Sequence, residues 1–183
     1  TSFNILKNLP ATVSLPLSVC YRCDQQIIDL AQDLVPQIEA KDGAATGTVE
    51  MEDSLNNVED GDMILCRLTA PLVDVCMQYI SRGIKAYVKG RDIGANLVNM
   101  IRNTNREQMD DVFTKFDREL AKISVKVAKE TGCSIAAATE HESYIRYADK
   151  VAAIRVLSQD LKWASQTMSR ISTIFSDKAQ GIC

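Results

Sequence analysis

Apolar positions up to residue 91 alternate between short β-rich runs and segments that follow the 3.6-residue period of a helix. The run 63–67 (MILCR) is apolar up to its final arginine, which is typical of a buried parallel strand. One helical stripe extends from Ile27 to Ile38, and Asp24 lies where an N-cap is expected. A second extends from Leu72 to Ile80 and ends before Gly83, a glycine suited to a left-handed cap. Strands are predicted at 11–19, 48–51, 63–67 and 84–88, with a loop at 40–48, and this alternation predicts an α/β fold with a parallel sheet and flanking helices.

Beyond Gly90 the pattern predicts helices without strands. The longest predicted helix, 106–131, carries an apolar stripe along its length and stops at Gly132. Asp92 is placed to cap the short helix before it, and Thr139 with Glu142 forms a candidate capping box. The predicted helices are 93–102, 106–131, 144–157 and a last one ending at 175. The sequence therefore predicts an α/β part at 1–91 followed by a small all-helical subdomain at 92–176.

Composition and charge narrow the class of protein. Hydrophobic content of 46% and charged content of 25% are typical of a globular protein, and no window approaches the ~18 apolar residues of a membrane span. We expect a cytoplasmic protein without a membrane partner. Segment 24–62 holds eleven acidic residues against one base, whereas segment 82–106 holds six bases against one acid. The basic segment indicates a surface for a polyanion, although an ordinary solvated surface explains it equally well.

The cysteines do not form the pattern of a disulfide framework, because only Cys20 and Cys23 among the six are closely spaced. A structural zinc site needs about four ligands, and the chain offers no second C-x-x-C pair and one histidine, His141, so we predict no metal site. A redox pair is the second possibility. The arginine between the cysteines and the later helices do not fit a thioredoxin-like fold, so we interpret both cysteines as small packing residues.

Tyr21 and Arg22 lie between those cysteines, at the end of a predicted strand and before a helix. In open α/β sheets ligands bind at this edge, and helix N-termini favour anions. An arginine there offers a planar fork for phosphate, and a tyrosine offers a flat face for a base. A surface arginine beside a packing tyrosine is the alternative. The sequence contains neither G-x-x-x-x-G-K-[ST] nor G-x-G-x-x-G, so it lacks a complete nucleotide site.

Two segments resemble UvrD/Rep-like superfamily-one helicases. LPLSVCYRCDQQIIDLAQDLVP (15–36) is similar to the family's motif with Tyr-Arg before a helix, and GDMILCRLTAPLVDVCMQYISRGIKAYVKGRDIG (61–94) is similar to its next recognisable block. The resemblance implies that 1–91 is part of the second RecA-like lobe, a partial P-loop NTPase lobe. It further implies that 92–176 is a helical insertion and that 177–183 starts the return into that lobe. Since the chain starts at Thr1 and stops at Cys183, we expect a piece of a longer protein.

The resemblance also implies residue roles. Tyr21 would stack on the adenine of ATP, and Arg22 would contact the γ-phosphate as an arginine finger does. Arg67 and Thr69 would lie on the track for single-stranded DNA, although Thr69 stands where the family has asparagine. Lys89 and Arg91 of the basic segment would contact nucleic acid.

The implied function is that of an ATP-dependent DNA helicase, which couples ATP hydrolysis to translocation on single-stranded DNA and to duplex unwinding, in bacterial or phage-like DNA repair or replication. Its cofactors would be ATP and Mg²⁺, with the phosphate loop and Mg²⁺ ligands outside this chain, so the isolated chain would bind neither and be inactive. Its partners would be single-stranded or forked duplex DNA and the first RecA-like lobe of the same polypeptide. The alternative is a non-catalytic nucleic-acid or protein interaction module with a helicase-like fold. A thiol-disulfide module is a third possibility.

Overall fold

The computed structural model describes residues 2–13, 15, 17–51, 55 and 58–175 and divides the chain into two compact units, 1–56 and 57–183. Helices account for more than half of the described residues, and the described strands form one two-stranded parallel sheet. The elements are α1 (Ser2–Lys7), β1 (Val19–Cys20), α2 (Gln25–Gln32), β2 (Glu39–Ala40), α3 (Thr69–Ser81), α4 (Arg91–Arg102), α5 (Met109–Thr131), α6 (Ile135–Ala138), α7 (Glu142–Leu157) and α8 (Ala164–Ile174).

The first unit contains a small βαβ arrangement. β1 pairs in parallel with β2, so that Val19 lies opposite Glu39, and α2 connects the two strands. The ladder continues on both sides of the paired residues, since the Glu39 amide donates to the Ser18 carbonyl and the Lys41 amide donates to the Cys20 carbonyl. Ile28 on α2 is 1% exposed and is the buried anchor of this helix. Two parallel strands connected by a helix are the kind of unit that the predicted α/β pattern contains, although this sheet has two strands.

The second unit is a helical bundle around one apolar core. α7 packs against α3, α5 and α8, while α4 packs against α8. Fully buried side chains from five helices fill the centre, including Val73, Leu97, Val112, Ile154, Leu157 and Ile171. The extended segment before α4 joins this unit through a hydrogen bond from the Val88 amide to the Ile174 carbonyl. The 3.6-residue apolar stripes of the sequence therefore point inward here.

Several helix limits are confirmed. α5 ends where predicted, because Gly132 follows it in the left-handed conformation with φ of 70°. α3 begins at Thr69, and Gly83, with φ of 79°, donates its amide to the Ile80 carbonyl just after the helix. α4 ends at Arg102 as predicted, but its predicted start is wrong, because the helix begins at Arg91 with Gly90 as its N-cap residue and Asp92 lies in its first turn.

The capping box predicted at Thr139 and Glu142 is wrong. α7 begins at Glu142 with His141 as its N-cap residue, whose Nδ1 accepts a hydrogen bond from the Ser143 amide at 3.2 Å. The Thr139 hydroxyl donates instead to the Ala136 carbonyl at 2.7 Å, which closes the short helix α6. The single histidine of the sequence is thus an exposed capping residue.

The predicted sheet is larger than the one observed. Residues 48–51, 63–67 and 84–88 belong to no strand of the described sheet, and of segment 11–19 only Val19 does, with 14 and 16 outside the described residues. Met63 and Leu65 are 58% and 84% exposed, which is not the buried strand that their pattern predicts. β2 was missed, because it falls at the boundary of a segment predicted to be a loop. A strand needs a neighbouring backbone to pair with, and the pattern of one segment does not supply that partner.

The division of the chain also differs from the predicted limit at 91. The boundary along the chain falls between residues 56 and 57. Segment 57–91 belongs to the second unit because α3 packs against α7. The predicted return into the first part, 177–183, lies outside the described residues. The RecA-like lobe itself remains a prediction.

Candidate nucleotide and nucleic-acid sites

The Tyr21–Arg22 pair lies in a bend formed by residues 21–23, between the end of β1 and the start of α2. Tyr21 is 75% exposed and Arg22 is exposed as well. Among the described residues no side chain forms a hydrogen bond or ion pair with the Arg22 guanidinium. Both side chains are therefore available to a ligand, at the carboxyl end of a parallel strand.

The amide groups at the start of α2 are already occupied. The Gln25 amide donates to the Ala45 carbonyl at 2.8 Å, and the Gln26 amide donates to the Thr46 carbonyl at 3.0 Å. Gly47 closes this loop onto Asp24 with φ of 68°, where an added Cβ would lie 2.5 Å from the Asp24 Cβ. Because chain carbonyls occupy these donors, anion binding at this edge depends on Arg22 more than on the helix N-terminus.

The cysteines beside the Tyr-Arg pair are only half-buried, which does not fit the packing role predicted for them. Hydrogen bonds from the backbone amides of Arg22 and Cys23 lower the pKa of Cys20. A side-chain hydrogen bond to Cys20 raises the pKa of Cys23. Cys76 behaves differently, since burial raises its pKa to about 11, as expected for a thiol in an apolar core.

The start of α3 contains two of the residues predicted to contact DNA. Arg67 is exposed in the bend before the helix, and Thr69 is its first residue and half-buried. The carboxylate of Asp149 on α7 accepts hydrogen bonds from the Thr69 and Ala70 amides, both at 2.9 Å. This carboxylate caps α3 from another helix, so the Thr69 amide is not available to a phosphate.

The structure places Lys89 and Arg91 on either side of Gly90, where the chain enters α4, and both side chains are exposed. Gly90 has φ of 138°, a backbone conformation that residues other than glycine rarely adopt. The other bases of segment 82–106 are also exposed, at the end of α3, in the connection and at the end of α4. The predicted basic surface is thus spread over several elements.

Sequence reasoning missed a second basic feature, a row of bases along α5. The row recurs at spacings of three and four residues, which places its members on one face of the helix: Lys115, Arg118, Lys122, Lys126 and Lys129. A shallow cavity of about 310 Å³ lies at its start, lined in part by Arg106 and Arg118. The periodicity was visible in the sequence, but the apolar stripe of the same helix was the stronger signal.

Neighbouring groups engage part of this basic row. The Lys115 ammonium donates to the carbonyls of Asn103 and Thr104 at 3.2 and 3.1 Å, where it compensates the negative end of α4. Lys122 pairs with Glu119 at 2.7 Å, but its side chain is 72% exposed, so this pair stabilises by at most about 1 kcal/mol. Solvent-exposed positive charge therefore remains along the helix.

A second cavity, of about 260 Å³, is apolar. Its walls are residues 63–66, the helix α3 and segment 86–89. Among its lining side chains are those of Leu72, Val75 and Tyr79 on α3. The exposed apolar run 63–66 thus borders a groove in the described part of the second unit.

The described residues contain no cluster of three or more His, Cys, Asp or Glu side chains that could hold a metal ion. Tyr21 and Arg22 fit contacts to a base and a terminal phosphate, while the sequence has no phosphate loop for the rest of a nucleotide. Among the helices that the structure describes, none is both long and apolar enough to cross a membrane.

Comparisons with protein-family models, with curated proteins and with solved structures found no match to this chain.

Proposed function

We propose that this chain contributes part of the nucleotide site and of the nucleic-acid track of an ATP-dependent DNA helicase of the UvrD/Rep-like kind. The observation that carries the proposal is the exposed Tyr21–Arg22 pair, without a partner among the described residues, at the carboxyl end of β1 in a βαβ arrangement. In this proposal the first unit belongs to the second RecA-like lobe. The phosphate loop and the ligands of Mg²⁺ must then lie outside these 183 residues.

The chemistry assigned to the pair follows from the two side chains. The Tyr21 ring stacks on the adenine, which positions the nucleotide without taking part in bond cleavage. The Arg22 guanidinium is a planar fork of N–H donors that can donate two parallel hydrogen bonds to γ-phosphate oxygens. The guanidinium stabilises the negative charge on these oxygens more strongly in the transition state than in bound ATP. Arg22 therefore raises kcat more than it strengthens ATP binding.

The nucleic-acid side of the proposal rests on exposed bases of the second unit. Arg67, Lys89 and Arg91 are exposed and lie at the entrances of α3 and α4. Their contacts would be to phosphates, which gives salt-dependent binding without base specificity. Thr69 contributes its side chain at most, because Asp149 accepts the hydrogen bond from its amide.

The test is ATP hydrolysis by the polypeptide that includes the first RecA-like lobe. Arg22→Ala is expected to lower kcat about 10³-fold or more with little change in the affinity for DNA, because an arginine finger contributes on this scale. Lys41→Ala is the matched control, since Lys41 is an exposed base of the same unit whose backbone bond to Cys20 survives the substitution. Equal kcat values for the two variants would end the assignment of Arg22.

A second variant pair separates stacking from charge. Tyr21→Ala should raise the KM for ATP, while Tyr21→Phe should leave it nearly unchanged because the ring is kept. If Phe and Ala raise KM equally, the hydroxyl and not the ring makes the contact, and adenine stacking is the wrong role for Tyr21.

The basic row on α5 favours a second candidate, a non-catalytic module that binds nucleic acid through phosphates. Its test is the salt dependence of binding to single-stranded DNA by the 183-residue chain. Replacing Arg118 and Lys129 with glutamine should reduce the slope of log K against log salt by about 1.4, at ~0.7 for each phosphate that is no longer neutralised. Arg146→Gln, which removes an exposed base on α7, is the control. An unchanged slope in the double variant would exclude the row as a binding surface.

A further inference from the structure

Two arginines that belong to neither the proposed nucleotide site nor the proposed DNA track line one cavity in the second unit. Arg106 precedes α5, Arg118 lies on α5, and both border the cavity of about 310 Å³ beside this helix. Both side chains are exposed, and within the part of the chain that the structure describes no group forms a hydrogen bond or ion pair with either guanidinium. Their N–H donors are therefore available to a ligand that enters the cavity.

The backbone holds both arginines at this cavity. The Arg106 amide donates to the Thr104 hydroxyl at 3.2 Å, and this hydroxyl donates to the Ile101 carbonyl at 2.7 Å. Since Thr104 is 4% exposed, its hydroxyl fixes the position of Arg106 relative to the end of α4. Arg118 lies within the regular helix α5, on the same face as Lys122 four residues later.

The charges around the cavity favour an anion. Four bases line it against two acids: Arg106, Lys115, Arg118 and Lys122 against Asp111 and Glu119. Lys122 and Glu119 pair at 2.7 Å, so their charges offset each other. The Lys115 ammonium donates to backbone carbonyls at 3.2 and 3.1 Å, and these neutral acceptors leave its positive charge beside the cavity. With Asp111 as the remaining carboxylate, the cavity has an excess of two positive charges.

A terminal phosphate group fits this arrangement better than a phosphate inside a nucleic-acid strand. A phosphate monoester carries about −1.5 to −2 charges at neutral pH and has three terminal oxygens that accept hydrogen bonds. A phosphodiester carries a single negative charge and has two such oxygens. Each guanidinium can donate two parallel hydrogen bonds to phosphate oxygens. Two guanidinium forks and an excess of two positive charges therefore match a dianionic terminal phosphate.

We propose that Arg106 and Arg118 form a binding site for the dianionic terminal phosphate of a phosphate monoester in the cavity beside α5. The same chemistry occurs in a small phosphate ester and at the phosphorylated end of a nucleic-acid strand. This inference goes beyond the proposed function and does not depend on it, because it needs neither ATP hydrolysis nor the Tyr21–Arg22 pair. It also differs from binding along the basic row of α5, because it requires the two arginines of one cavity.

The experiment is calorimetric titration of the 183-residue chain with inorganic phosphate at neutral pH, with chloride added to keep the ionic strength constant. Arg106→Gln and Arg118→Gln should each weaken phosphate binding about tenfold or more, because each removes charge-assisted hydrogen bonds. Lys129→Gln is the matched control, since Lys129 is an exposed base of α5 that does not line this cavity, and it should leave the affinity unchanged. Arg22→Ala should also leave it unchanged.

Asp111→Asn keeps the proposal falsifiable even if an arginine variant folds poorly. It removes a negative charge from the cavity and should tighten phosphate binding several-fold, a gain that loss of folding cannot produce. The proposal is overturned if the two arginine variants bind inorganic phosphate as tightly as Lys129→Gln does, or if Asp111→Asn binds it no more tightly than the unchanged protein.

Single-stranded oligonucleotides with and without a terminal phosphate identify the source of the phosphate group. Tighter binding of the phosphorylated strand, lost in Arg118→Gln, would identify the end of a nucleic-acid strand as the ligand. Equal binding of the two strands, together with binding of inorganic phosphate that depends on Arg118, would identify a small phosphate ester.

Discussion

Asp149→Ala removes the carboxylate that caps α3 from α7. Its two oxygens accept from the Thr69 and Ala70 amides at 2.9 Å each, and these amides belong to the first turn, whose donors have no partner within the helix. Loss of an N-cap costs about 0.5–2 kcal/mol, and the half-buried site lets water replace part of the lost bonding. We expect the free energy of unfolding of the second unit to fall by about 1–2 kcal/mol, equivalent to a Tm lower by about 3–8 °C.

The assay is urea unfolding followed by the fluorescence of Trp163, the single tryptophan of the sequence, which lies in the second unit. Asp149→Asn keeps an acceptor oxygen and should lose less than the alanine variant. Asp74→Ala is the matched control, because Asp74 is an exposed carboxylate on α3 that bonds only the nearby Gln78 side chain among the described residues. If Asp149→Ala is no less stable than Asp74→Ala, the interhelical cap does not hold α3 in place.

Three further predictions concern packing, charge and thiol burial in the same unit. Gly94→Ala should lower the free energy of unfolding by about 1–2 kcal/mol, because the new Cβ would lie 2.5 Å from the Phe175 Cβ and this overpacking outweighs the ~1 kcal/mol gain in helix propensity; a stabilised variant would contradict it. The side-chain hydrogen bond from Arg170 lowers the pKa of Asp160 from 3.8 to about 2, so the stabilisation by this carboxylate is complete above about pH 4 and is lost as the pH falls towards 2. Over this pH range the free energy of unfolding of Asp160→Asn should therefore fall less steeply than that of the unchanged protein. Identical pH profiles of the two proteins would exclude the linkage. Cys76 should resist alkylation at pH 8 until urea unfolds the chain, because burial raises its pKa to about 11, and rapid labelling of the native protein would show that its side chain is not buried.

The sequence predicts a helix well where the apolar periodicity extends over many residues and the residue that ends the helix lies next to it in the chain. α5 has an apolar stripe over 23 residues and stops at a glycine, and both signals lie within the helix itself. The strands predicted at 63–67 and 84–88 are wrong. An apolar run indicates that a segment favours burial, but it does not indicate which part of the fold would cover that segment or pair with it. Leu65 is an example, because it lies in the apolar run and yet is 84% exposed.

The candidate sites divide in the same way. The Tyr21–Arg22 pair could be found from sequence, because a strand end, two residue types and a helix start are all local signals. The cap of Thr69 by Asp149 could not, since the two residues are 80 positions apart and an aspartate in the middle of a helical stripe carries no sign of its partner. The occupied donors of α2 are a similar case, because only the folded chain brings the Ala45 and Thr46 carbonyls to that helix.

The measurement that tests the central claim most directly is ATP hydrolysis by the polypeptide that includes the first RecA-like lobe, with and without single-stranded DNA. The proposed function predicts hydrolysis that single-stranded DNA stimulates and that Arg22→Ala reduces by orders of magnitude while DNA binding persists. Hydrolysis no faster than background in the presence of bound DNA would contradict a helicase and leave the non-catalytic module as the function of this chain.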